Sequence, residues 1–380
     1  MFNQIKKSDI LKISLILLVL ISSVLFLYRP HFKINFGGGD NLEWYEEAKE
    51  RDTLTKIFDF QYYSGRYGPS SYFNPVQLVI WRYMTTNYGQ RSYPYHFLCI
   101  LIHLINVVLV FFILNNFIKN KFFSFSATLS FAIYYLNFKT IGWIAATITT
   151  GLTAFFLLST FLLFLKYFQT KNRLLYFLSL LTFLIGTFAK ETVVFVAPIL
   201  LTYYLTTQRK KIFKFIKTDL IFLPYLVLSL PIILITSTRL SSSALINNWG
   251  GFNFGIHMFY RFIDFLIYLI TVIPVSFNIQ ITITMFILIS FPILIYYGIK
   301  DKNLLFLAIC LFLLILIYIY SNFRDIYNLG RYLYLPSVAW FGLLYYIVSN
   351  IKNLKIKILS SFCLINYTII LNLFLILTKG

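Results

Sequence analysis

Apolar runs of about 20 residues, the length that crosses a bilayer as one helix, recur through this chain with short Lys/Arg clusters between them. That alternation restricts the fold more than any other feature. In lipid every backbone N–H and C=O must be paired within the protein, which leaves helices or closed barrels. Runs this long and this uniformly apolar suit helices. Candidate spans cover 10–28, 94–117, 122–136, 143–165, 174–188, 192–206, 220–235, 281–298, 304–320, 333–348 and 358–377. Composition agrees, with 59% hydrophobic and only 12% charged residues and a mean hydropathy of +0.77. The expected fold class is all-α: a single polytopic membrane domain, 1–380, with about 11 transmembrane helices. A net charge of +20 would suit nucleic acid, but the basic residues sit in short inter-span clusters, as the positive-inside rule distributes them. No nucleic-acid partner is expected; membrane lipids are.

Those clusters orient the chain. Lys6, Lys7 and Lys12, Lys119 and Lys121, Lys166 to Arg173, the basic run at 209–217, Lys300 and Lys302, and Lys352 to Lys357 belong on the cytoplasmic side. The start of the chain lacks a small-residue cleavage site and is expected to remain as a first span. All clusters fall on one side provided that 257–277 enters and leaves on the same face, as an interfacial or re-entrant helix with Arg261 and Asp264 as i,i+3 neighbours. The outer face then collects the loop 29–92, a turn at 137–142, the hairpin tip at Lys190 and Glu191, 238–256 and 321–332. Cys99, Cys310 and Cys363 lie within apolar runs without metal-ligand spacing and are expected to be core thiols.

The loop 29–92 holds most of the acid. Seven of 13 Asp and Glu residues fall between Asp40 and Asp59, and the stretch opens as GGGD. Glycines let backbone approach a substrate closely. Glu43, Glu46 and Glu47 are spaced with Trp44 and Tyr45 as the wet face of an interfacial helix, and any of the three is an alternative to Asp40 as a base.

Four motifs, in order, resemble the GT-C membrane glycosyltransferases, in particular their protein O-mannosyltransferase-like branch related to the TPR-bearing enzymes. In YPYHFLCILIHLINVVLVFF, His96, His103 and Asn106 match the family pattern while Cys99 replaces an Asn. FAIYYLNFKTIGW has Tyr134 and Tyr135 in place of His-Pro and Lys139 in place of Glu. LLTFLIGTFAKETVVFVAPILLTYYL carries the family's Lys-Glu pair, and GRYLYLPSVAW is similar to its ERYLYLPS segment. No TPR region follows. The resemblance implies inverting, metal- and cofactor-independent transfer of a hexosyl, mannosyl-type sugar from a polyprenyl-phosphate donor to a glycan, lipid or protein acceptor. It implies a cell-membrane location and an extracytoplasmic site. Asp40 is the expected general base. Lys190, partnered by Glu191, and Arg331 with Tyr334 are expected at the carrier phosphate, with Arg66 or Arg82 compensating for Asn74, which stands where the family has Arg; Arg324 is a second choice. His96, His103, Asn106 and Lys139 are expected as polar groups of the site or of the helix packing, His103 through a structural hydrogen bond. Lys139 inverts the charge the family carries there and marks altered specificity or lost activity. Two rival readings are a lipid-linked glycan flippase or transporter, which would place ionisable groups at mid-membrane, and a polysaccharide polymerase or ligase. Clustering of the polar residues on one face favours the enzyme.

Overall fold

The computed structural model describes residues 7–59, 73–208, 220–240, 255, 257–272, 277–319 and 330–379. Among them no strand forms, and the expected apolar runs are helical over most of their described length. The chain begins with α1 (Lys7–Tyr28), a 3₁₀ turn (Arg29–Lys33), and α2 (Asp40–Glu50), α3 (Leu54–Phe58) and α4 (Pro75–Tyr88) of the first loop. Next come α5 (Ser92–Phe117), α6 (Lys121–Ala132), α7 (Tyr135–Gly142) and α8 (Ile144–Thr170), the last containing a π-helical turn (Thr147–Gly151). There follow α9 (Arg173–Ala189), a 3₁₀ turn (Glu191–Phe195), α10 (Val196–Gln208), α11 (Leu223–Leu240) and α12 (His257–Thr271). The chain closes with α13 (Phe277–Lys300), α14 (Lys302–Leu316), α15 (Tyr334–Ser349) and α16 (Leu354–Lys379).

Three of the described helices are long and apolar enough to cross a membrane by themselves: the first, from Leu11 to Lys33 with its 3₁₀ end, then α5 and α8. Shorter apolar helices run over Arg173–Ala189, Glu191–Thr207, Leu223–Ile235, Asn278–Ile287, Lys302–Leu316 and Tyr334–Ser349. α8 is the central post, packed along α9 and α5; α15 closes against α6 and α14, and α10 against α14. The first helix is peripheral, touching α5 and α6 along one side.

Local polar groups end the helices where the basic clusters lie. Asn120 accepts from Phe122 N at 2.9 Å to start α6, and Asn172 accepts from Leu174 N at 3.0 Å to start α9. Asp301 accepts from Asn303 N at 2.9 Å to start α14. The ends meet: Gln169 of α8 donates to Asn116 of α5 at 2.8 Å, and a cavity of about 220 Å³ there is lined by Tyr203, Thr207 and Lys302. The basic clusters around Lys119, Lys171 and Lys302 therefore share one end of the bundle. Trp143 and the first loop lie at the other end of α8, whose 27 residues rise roughly 40 Å.

Three expectations change. The turn at 137–142 is helical, because α6 stops at Ala132 and Asn137 donates to Phe131 O at 2.7 Å, which frees the chain to start α7. Tyr134, at the break, donates to Leu269 O at 2.9 Å and so ties down the last turn of α12; in the first half of that helix Arg261 and Asp264 face each other at 3.9 Å. Glu47 is not on the wet face of α2: it is buried and paired with the fully buried Arg51, while Trp44 stacks parallel to Trp81. Cys99 and Cys310 are buried core thiols, but Cys363 is exposed on α16.

Candidate functional site

Asp40 is the first residue of α2, where a carboxylate meets the positive end of the helix dipole. Gly37 (φ 77°) and Gly39 (φ 58°) adopt the left-handed backbone that turns the chain into the helix, a conformation β-carbon-bearing residues resist. Asn41 locks the turn from inside. Its amide donates to Phe36 O at 2.6 Å, and its oxygen accepts from Ala145 N at 2.9 Å, at the start of α8. The loop carrying Asp40 is thereby fastened to the same helix end that carries Trp143.

Arg331 reaches this point from 291 residues away, with Nη1 3.5 Å from Asp40 Oδ2. Its guanidinium is held between two rings, 4.8 Å from the centroid of Trp143 and 5.0 Å from that of Tyr332. Nη2 also donates to the Tyr332 hydroxyl at 3.1 Å, and Tyr332 rests on Tyr318. A guanidinium stacked this way keeps its charge and its plane fixed, which suits bidentate contact with phosphate.

Lys190 extends from the junction between α9 and the following 3₁₀ turn. Packed protein around the amine lowers its pKa below the ordinary lysine value; Glu191 pulls the other way, and the positive charge of Arg331 adds to the lowering. Lys190 thus lies within electrostatic reach of Arg331, which itself adjoins the half-exposed Asp40 carboxylate. Glu43, one turn beyond Asp40, has its carboxyl raised above the usual range, first by burial and then by the Asp40 charge. It sits near the base position but does not make the Arg331 contact.

Behind this cluster lies a buried polar network built from the YH…H..N motif. His103 Nε2 donates to Ala132 O at 3.0 Å, and its Nδ1 accepts from the Tyr334 hydroxyl at 2.6 Å. Asn106 donates both to that hydroxyl at 3.2 Å and to Gly151 O, in the π-turn, at 2.8 Å. Tyr28 adds a contact to Ala132 O at 3.1 Å. Tyr334, expected at the carrier phosphate, is instead fully buried in this network, because its helix turns it into the bundle while Arg331 faces the loop. His103 and Asn106 thereby join α5 to α6, α8 and α15.

Other expected residues lie elsewhere. Arg82 donates to Ala48 O at 3.2 Å, near the end of α2, so its guanidinium braces the loop helices. His96 is buried beside His31 and faces the backbone of Ile34 and Asn35 without reaching hydrogen-bond geometry. His31 itself bonds Phe138 O at 3.0 Å, a close approach that Gly142 permits: a β-carbon there would come within 2.9 Å of His31 Nε2. Lys139 lies on α7 with its ammonium 5.9 Å from the Tyr135 ring centroid. Arg66 and Arg324 fall outside the described residues. Among the described residues no three His, Cys, Asp or Glu side chains converge as a metal would require.

Three contributors escaped the sequence reading: Asn41, Gln77 and Trp143. Asn41 is one polar residue in an acid-rich helix. Gln77 had a local signal, being a lone amide in the apolar face of NPVQLVIW, where an unpaired polar group would be costly to bury. Trp143 ended a quoted motif, but its partner is Arg331, which no local pattern announces.

The fold is similar to that of ArnT from Cupriavidus metallidurans, seen in a crystal structure bound to undecaprenyl phosphate. The TM-score is 0.50 at 13% sequence identity, over 88% of this chain and 60% of that one. This chain thus spans under two thirds of ArnT's length. No protein-family model and no curated protein sequence matches it. The likeness is one of fold. It agrees with the all-α, polytopic, GT-C-like architecture and does not select the O-mannosyltransferase-like branch.

Proposed function

We propose that this protein is a membrane glycosyltransferase that moves a sugar from a polyprenyl-phosphate donor to an acceptor hydroxyl on the extracytoplasmic side of the cell membrane. The observation that carries the reading is the contact between Asp40 and Arg331, 291 residues apart in sequence, at the end of the bundle opposite the basic clusters, with Lys190 close enough to Arg331 for their charges to interact. The fold likeness to a protein crystallised with undecaprenyl phosphate supports the same donor class.

The chemistry follows from the charges. Arg331 and Lys190 hold the carrier phosphate, with Glu191 beside Lys190 as its partner. Asp40 takes the proton from the acceptor hydroxyl as that oxygen forms its bond to the anomeric carbon. The bond from that carbon to the phosphate oxygen breaks with its electron pair leaving on the phosphate, whose growing charge the two cations stabilise. Attack opposite the leaving group inverts the anomeric centre. In the free protein Arg331 pairs with Asp40 Oδ2; an arriving phosphate competes for the guanidinium and leaves the carboxylate to the acceptor. Lys139, in place of the family's Glu, adds positive charge to α7 and alters donor or acceptor preference relative to the O-mannosyltransferase-like branch.

The test is transfer by the purified full chain from polyprenyl-phosphate sugars, with undecaprenyl phosphate release as the readout. Asp40→Asn is expected to lose about 10²- to 10⁴-fold in rate, the usual contribution of a positioned acid or base, while still binding undecaprenyl phosphate. Full retained transfer would remove Asp40 as the base.

A further inference from the structure

Gln77 belongs to α4, in the loop between α1 and α5, yet none of its side chain is exposed. Its amide nitrogen donates to Ala189 O at 2.7 Å, and its oxygen accepts from Thr149 Oγ1 at 3.4 Å. Ala189 is the last residue of α9, and its carbonyl is one of those a helix end leaves without an intrahelical donor. Such carbonyls are ordinarily satisfied by the next residues of the same chain, often through a left-handed glycine. Here the chain leaves in extended form at Lys190 (φ −163°, ψ 138°), and a side chain 112 residues earlier takes the carbonyl. On its other flanks, Lys190 N donates to Gly186 O at 3.0 Å and Lys190 O accepts from Val193 N at 3.1 Å. The peptide groups on both sides of Lys190 are thus held, and the direction in which its side chain leaves the backbone at Cβ is set.

Thr149 sits in the π-turn of α8, a local widening that recurs at functional sites. Two residues on, Gly151 O accepts from Asn106, which also donates to Tyr334, three residues beyond Arg331. A continuous line of polar contacts therefore joins the residue before Lys190 to the segment that carries Arg331, with the π-turn in the middle. An amide suits its Lys190 end, since it can donate to a carbonyl and accept from a hydroxyl at once; an ionised Glu lacks the donor, and Met lacks the donor and accepts only weakly.

We propose that Gln77 is a positioning residue for the carrier phosphate, holding the peptide between Ala189 and Lys190 against the π-turn and so setting the separation of Lys190 from Arg331 that one phosphate group needs. This rests on the reading that Lys190 and Arg331 bind that phosphate.

The experiment is a double-mutant cycle on the full chain in detergent, read by undecaprenyl phosphate affinity, donor KM and kcat. Gln77→Met is expected to weaken undecaprenyl phosphate binding about tenfold, within the range of couplings between neighbouring residues, and to raise donor KM more than it lowers kcat. In a Lys190→Ala background Gln77→Met should weaken binding no further, whereas a general structural defect would add its full loss. Thr149→Val, which removes the hydroxyl and keeps the shape, carries the same test with a smaller loss if Gln77→Met does not fold, and Thr149→Ser should restore wild-type binding. Wild-type affinity in Gln77→Met and Thr149→Val, or a full additive loss in the Lys190→Ala background, overturns the positioning role. Unchanged affinity in Lys190→Ala alone overturns the phosphate-site reading beneath it, so the two failures are told apart.

Discussion

Replacing Tyr334 by Phe removes one oxygen atom and little else. The ring keeps its edge contacts with His103 and Phe131, at centroid distances of 5.7 and 5.3 Å, so no cavity opens. Two hydrogen bonds go: the 2.6 Å bond to His103 Nδ1 and the 3.2 Å bond from Asn106. His103 already donates through Nε2 to Ala132 O, so Nδ1 is an acceptor and is left without a donor on a fully buried ring. Asn106 keeps Gly151 O and loses less. Interhelical hydrogen bonds in membrane proteins average about 0.6 kcal/mol and reach about 1.7, while stranding a buried polar group costs about 1–3 kcal/mol. One strong bond and one weak one place Tyr334→Phe at about 1–2 kcal/mol of lost stability, a factor of roughly 5–30 in the folded-to-unfolded ratio. Thermal unfolding in detergent should show a midpoint lowered by a few degrees. Donor KM should rise less than in Gln77→Met, because the hydroxyl is buried away from the Asp40 and Arg331 cluster and only the weaker, far end of the polar line is cut while Asn106 keeps Gly151 O. An unchanged midpoint with a donor KM raised about tenfold would refute the structural assignment and return Tyr334 to the phosphate.

Two further outcomes follow from the same geometry. Burial lowers the Lys190 pKa, so its ammonium is fully present below that value and is lost as pH rises through it, earlier than for an exposed lysine near 10.4. Undecaprenyl phosphate affinity should therefore fall on the alkaline side, and Lys190→Arg, which stays charged, should flatten that fall; identical pH profiles for the two would exclude Lys190 from the contact. Asn41→Leu keeps the branched shape but strands Phe36 O and Ala145 N, costing about 1–3 kcal/mol. It should lower kcat while leaving undecaprenyl phosphate affinity near wild type, because Lys190 and Arg331 lie outside α2.

Particular residues show how far local pattern carries. Asp40 could be singled out because it follows three glycines at the mouth of the first span, and the left-handed φ at Gly37 and Gly39 accounts for that composition. Lys190 and Arg331 could be named because charge at a span end is conspicuous against apolar neighbours. Tyr334 was placed at the phosphate because it shares a motif with Arg331, yet three positions along a chain entering a helix are enough to turn one side chain to the loop and the other into the bundle. Glu47 and Glu46 are adjacent, but Arg51 buries the first and leaves the second in solvent. Asn41 and Gln77 were invisible as functional residues because a neutral amide carries no distinguishing signal until its partners are known.

The sequence by itself determined the class of molecule. Apolar runs of membrane length permit only structures that satisfy their backbone internally, and caps such as Asn120, Asn172 and Asp301 set where helices begin. Both are local properties, legible within one or two turns. Tertiary structure alone decided which polar groups meet. Asp40 and Arg331 are 291 residues apart, and Gln77 and Ala189 are 112 apart. Whether such pairs touch depends on how helices cross and rotate, which is settled by the summed packing of many apolar side chains. The residues that make those contacts carry no record of it in their neighbours.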